Sequence, residues 1–69
     1  MADTTFKKIE IVGTSAESFS KAASNAIEKA ANTIHGICWL EVVEQRGAVS
    51  DGKISQYQTT VSIGFKLDD

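Results

Sequence analysis

The chain has no proline, and a single cysteine, histidine, tryptophan, tyrosine and methionine among its 69 residues. Each scarcity closes a route. With Cys38 as the only thiol, no disulfide can form within the chain. One histidine and one cysteine cannot build a closed zinc site. Neither sign of charge dominates: seven basic residues stand against nine acidic ones, net −2. That balance argues against a nucleic-acid partner, which calls for a concentrated basic face. No apolar run is long enough to span a bilayer. The amino-terminal Met1-Ala2-Asp3-Thr4-Thr5 lacks the apolar core of a secretory leader. A reducing, cytoplasmic location is expected. There is no linker and no repeat, so one domain over residues 1–69 is expected. A domain this small is often marginal alone. With disulfide and metal set aside, association is the remedy left.

What is present reads as four elements. Ile9 and Ile11 alternate with Lys8, Glu10 and Val12, predicting a strand over Phe6–Val12 that Gly13 breaks. Thr14-Ser15-Ala16-Glu17 has the form of a capping box, with the Thr14 hydroxyl as N-cap. In the helix that follows, Phe19, Ala22, Ala23, Ala26, Ile27, Ala30, Ala31 and Ile34 form one apolar stripe. The alanines imply close approach to a sheet. His35-Gly36 ends the helix, Gly36 suiting a left-handed position. His35 is read as a cation at the helix end rather than a catalytic base. Strands over Ile37–Arg46 and Lys53–Leu67 complete the chain, joined by a loop over Gly47–Gly52. The expected fold class is α+β: β-α-β-β, a three-stranded antiparallel sheet packed on one helix.

Alternation in the second strand places Trp39 opposite Cys38, Leu40 and Val42. The helix is expected to cover Leu40, Val42, Tyr57, Val61, Ile63 and Phe65, with Cys38 a small buried hydrophobe. The uncovered face then carries Trp39, Glu41, Val43, Gln56 and Gln58. An indole among neutral amides suits a flat ligand; it suits a subunit contact anchored by Trp39 equally well. Trp39 and Arg46 are an odd number of residues apart, so a regular strand puts them on opposite faces. Either a bulge near Gln45-Arg46-Gly47 intervenes, or Arg46 serves a site shared with another subunit.

The order of segments adds a further reading. Ile11-Val12-Gly13-Thr14-Ser15 precedes an Ala-rich helix. A Trp-bearing strand leads to Arg46-Gly47, then Tyr57-Gln58, and last Gly64-Phe65-Lys66-Leu67. From Phe6 to Asp68 this series resembles the dodecins. The resemblance implies a hollow dodecamer of cubic symmetry that binds flavin, with no catalysis. It implies that Trp39 and Gln58 frame the flavin at a two-fold contact and that Arg46 touches it. Presence of that arginine resembles the bacterial type and points to FMN over riboflavin or FAD. Lys7, Lys29 and Lys66 match basic residues of a coenzyme A site near the three-fold axes. The implied role is flavin storage and sequestration, with the excited state quenched. A purely structural oligomer, a coenzyme A carrier and a flavoenzyme are the alternatives.

The chemistry suits these residue types. Indole is the most electron-rich side chain available to stack on an electron-poor isoalloxazine. A carboxamide can both donate to and accept from the pyrimidine edge of that ring, which a carboxylate or an ammonium cannot.

Overall fold

The computed structural model describes residues 3–67. Residues 1 and 2 of the amino-terminal segment, and Asp68 at the end of the resemblance, lie outside the described residues. The elements are β1 (Phe6–Ser15), α1 (Phe19–Ala30), β2 (Ile37–Ser50) and β3 (Lys53–Lys66). They form one antiparallel sheet in the order β1-β3-β2, with α1 across one face. The expected β-α-β-β architecture is therefore present.

Its boundaries differ from the sequence reading in ways that physical contacts explain. Gly13 does not break the first strand; β1 continues through Ser15, paired with Tyr57. Gly13 is needed for another reason. A Cβ there would run into the Ala22 carbonyl and the Ala26 methyl of α1, so the small residue lets helix and strand close on each other. Because Thr14 and Ser15 are held in the sheet, the helix cannot start at Thr14. Ser18, in extended conformation, is the N-cap, its Oγ accepting from the Lys21 backbone N–H at 3.0 Å. Ser15 Oγ accepts from the Glu17 backbone N–H at 2.9 Å and shapes the intervening bend.

The helix stops at Ala30, a turn short of Ile34, and Ala31 is exposed. Lys29, not His35, is the basic residue of the last turn. Gly36 does adopt positive φ, +78°, but it launches β2 rather than capping α1. The hairpin loop is far shorter than expected. β2 and β3 stay paired to Ser50 and Lys53, leaving Asp51-Gly52 as the turn with φ of 52° and 74°. Two consecutive positive φ values define the type I′ geometry that matches strand twist.

The core is Ala22, Ala26 and Ala30 of α1 on Val61 and Ile63 of β3, flanked by Ile9, Ile11, Ile27, Ile34 and Ile37. Helix contacts fall on β1 and the central β3, so β2 lies beyond its reach. The helix thus fails to cover Leu40 and Val42, which remain 40% and 53% exposed. They line one wall of a groove whose other wall is Phe19, Ala23 and Ile27. Past the last β1 pair, the β2–β3 ribbon continues as two strands, ending in Val49 (69% exposed) and Ile54 (51%). A two-stranded ribbon is poorly stable in water without a surface to rest on.

Candidate functional site

Two irregularities of β2 shape the site. Ile37 pairs with Phe65 and Trp39 with Gly64, so Cys38 is an extra residue. Val42 pairs with Val61 and Glu44 with Thr60, so Val43 is another. From Trp39 to Arg46 there are seven steps on β2 against six from Gly64 to Gln58 on β3. The surplus residue at Val43 restores the phase and turns Arg46 onto the face of Trp39. Of the two alternatives left open by the sequence, a bulge is present, at Val43, just ahead of Gln45-Arg46-Gly47. Cys38, as a bulge residue, is exposed rather than packed under the helix, and its thiol donates to the Gly36 carbonyl at 3.2 Å.

The face away from α1 is therefore built by Phe6, Lys8 and Glu10 of β1, by Gln56, Gln58, Thr60, Ser62 and Gly64 of β3, and by Trp39, Glu41, Glu44 and Arg46 of β2. Trp39 is 37% exposed and its indole lies across Gly64, where any Cβ would overlap the six-membered ring. Phe6 meets the indole edge-on, centroids 5.0 Å apart at 62°. The indole N–H donates to Glu41 Oε1 at 3.3 Å, and Lys8 Nζ stands 2.7 Å from the same oxygen. The Lys8 ammonium hydrogen-bonded to Glu41, with the indole N–H as a lesser donor, holds that carboxyl below the usual carboxylate range.

At the other end of the face Gln58 is already oriented. Arg46 Nε donates to Gln58 Oε1 at 2.6 Å, and Gln58 Nε2 donates to Gln56 Oε1 at 2.8 Å. One Gln58 N–H is left for a ligand. Trp39 and Gln58 share a face, as alternation requires, but they are not adjacent. Six residues of β3 separate Gly64 under the indole from Gln58, roughly 20 Å at about 3.3 Å per residue. A single protomer does not clasp one ring between them.

Lys7, Lys29 and Lys66 do not converge within a protomer either. Lys7 pairs with Phe65 on the helix side of β1, Lys66 belongs to the opposite face, and Lys29 borders grooves along β1 that neither of the others lines. Among the described residues, no three His, Cys, Asp or Glu side chains cluster as metal ligands, and no helix is long and apolar enough to cross a membrane.

Sequence reasoning missed Phe6, Lys8 and Gly64 as supports of the indole. Glu41 was legible in principle, two residues from Trp39 on the same side of a strand; the β1 residues were not, because strand order cannot be read from spacing.

Comparison with known proteins agrees with this fold. The dodecin family model matches residues 5–68. Dodecin from Thermus thermophilus is 36% identical over 64 residues, 93% of either chain. The structure of dodecin from Streptomyces davaonensis superposes with a TM-score of 0.94 at 43% identity, covering 99% of this chain and 100% of that one. Calcium dodecin from Mycobacterium tuberculosis, solved with a calcium-binding site, gives 0.81 at 35% identity over 93% and 91%. With nearly every residue matched and the same strand–helix–hairpin order throughout, this chain belongs to the dodecin family, in its bacterial branch.

Proposed function

We propose that the protein stores flavin between protomers, the isoalloxazine stacked on Trp39 and edged by Gln58 of the partner subunit. The observation that carries this is the separation of the two residues on one face. A two-fold contact that runs two such faces antiparallel brings each indole to the other protomer's amide. The residues fit the ligand: Trp39 offers a flat, partly exposed ring over Gly64, and Gln58 offers an amide fixed by Arg46.

Association also answers the exposed apolar surface. Leu40, Val42, Val49 and Ile54 form too much apolar area for a lone chain, in keeping with a homododecamer. The guanidinium of Arg46, fixed through its Nε, keeps further N–H donors for a phosphate, which favours FMN over riboflavin.

Bound flavin supplies a planar, electron-poor chromophore that absorbs visible light. The protein's part is to exclude water, to keep both faces of the ring covered, and to place an electron donor in contact. With flavin bound, Trp39 would serve as electron donor to the excited ring, and return of the electron would release the light energy as heat. Covered faces leave no room for a hydride donor, and storage with photoprotection, not turnover, is the role in the cytoplasm. Titration of the purified protein with riboflavin, FMN and FAD tests the reading. Emission should fall nearly to zero until flavins equal protomers, with FMN tightest. Bright emission at saturation, or no binding, overturns it.

A further inference from the structure

Ser62 and Gly64 are buried although they lie on the sheet face that has no helix. Their cover comes from β1 and β2. The Trp39 indole roofs Gly64, and the Lys8–Glu41 ion pair reaches over β3 from strand to strand, at the level of Ser62. Both parts of this roof meet at one atom, Glu41 Oε1, which accepts from the indole N–H and from the Lys8 ammonium.

We propose that Glu41, braced by Lys8, is the positioning residue of the Trp39 platform, selecting which way round the indole lies over Gly64. Gly64 beneath and Phe6 at the side settle the plane of the ring. Apolar contacts of that kind are nearly indifferent to a half-turn about the Cβ–Cγ bond, which exchanges the pyrrole and benzene ends. The indole N–H is the ring's one polar handle, and a charged acceptor on the same strand distinguishes the two orientations. The choice matters because the two present different atoms to a stacked partner. A carboxylate accepting the N–H also enriches the indole in electron density, which assists the electron donation that the flavin reading assigns to it. The other charged groups on this face are Glu10 of β1, Glu44 and Arg46 of β2 and Lys66 of β3. Lys8 is the one in contact with Glu41.

The quenching half of the inference rests on the flavin reading; the positioning half does not, and flavin-free protein tests it. Trp39 is the only tryptophan, so the assembled ¹⁵N-labelled protein gives a single indole N–H resonance. In Glu41→Ala that resonance should shift and its exchange with water should accelerate roughly three- to tenfold, as for a lost charge-assisted bond. Glu41→Gln keeps an acceptor and should restore most of the protection; Lys8→Met should fall between. In wild type the resonance should titrate with Glu41 as pH falls, which decides the matter even if the alanine variant fails to fold. FMN emission at saturation should be several-fold higher in Glu41→Ala than in wild type. An indole resonance that ignores both pH and the Glu41 substitutions overturns the proposal. If the resonance responds as expected but wild type binds no FMN, the positioning role stands and the flavin reading fails.

Discussion

Arg46 and Gln58 meet at 2.6 Å across β2 and β3 because Val43 adds one residue to β2 between Trp39 and Arg46. Without that bulge Arg46 would face the helix layer, and Gln58 would lose the donor that orients its amide. The pair also tells the two halves of the site apart: the indole end is held by carboxylate and ammonium, the amide end by guanidinium.

Arg46→Ala should weaken FMN by about 1–3 kcal/mol, the usual loss for a charged hydrogen bond, and riboflavin by less. The phosphate loses its donors in one case, while in both Gln58 turns freely. Parallel fluorescence titrations with the two ligands measure the difference. An equal loss for both would assign the arginine to amide orientation alone.

Gly64→Ala should displace the indole, since the new methyl occupies the space of the six-membered ring. Overpacking of this kind costs about 1–3 kcal/mol. Because the fold does not otherwise need Gly64, the variant should still assemble. A shifted Trp39 emission spectrum and a lower unfolding midpoint are the readouts.

Trp39→Phe should retain a stacking surface but lose the better electron donor, so FMN binds more weakly and emits more brightly. Trp39→Ala should bind little flavin. Fluorescence lifetimes of the saturated variants separate quenching from affinity.

Val49→Lys with Ile54→Lys should cut the assembly to smaller species without unfolding the protomer. Both residues sit on the ribbon beyond the core, and charge there blocks burial against another copy. Sedimentation velocity and far-ultraviolet circular dichroism report the two quantities independently.

Glu41 makes the Trp39 end of the site sensitive to acid. Its pKa is lowered in the fold, chiefly by the Lys8 hydrogen bond. The stability that it contributes is therefore present above the ordinary carboxylate range and lost as pH falls through the depressed value. The pair is exposed on both sides, so the effect is small. Unfolding midpoints of wild type and Glu41→Gln should converge as the solution is acidified through that range.

Much of the architecture was legible in the chain, and the departures have a common origin. Element types and the apolar stripe follow from periods of two and 3.6, which is why Ala22, Ala26, Val61 and Ile63 are expected between helix and sheet and are found there. Gly13 was misread because glycine signals both a turn and a close contact, and only the packed helix distinguishes them. The long Gly47–Gly52 loop shrank to two residues because β3 offered continuous pairing partners, a tertiary circumstance. Leu40 and Val42 were expected under the helix, yet with β3 in the middle of the sheet β2 lies too far out.

From the amino-acid order alone came the class of fold, the marginal size of a single domain, an indole facing away from the helix, and the choice between a bulge and a shared site for Arg46. These depend on neighbours within a few residues, where backbone period and side-chain size decide. The tertiary structure decided the rest: β3 in the centre, Gly64 under Trp39, Glu41 and Lys8 joined over Ser62, and Trp39 set a ribbon's length from Gln58. Those relationships link residues far apart along the chain, and strand order and register determine them only once the sheet has closed.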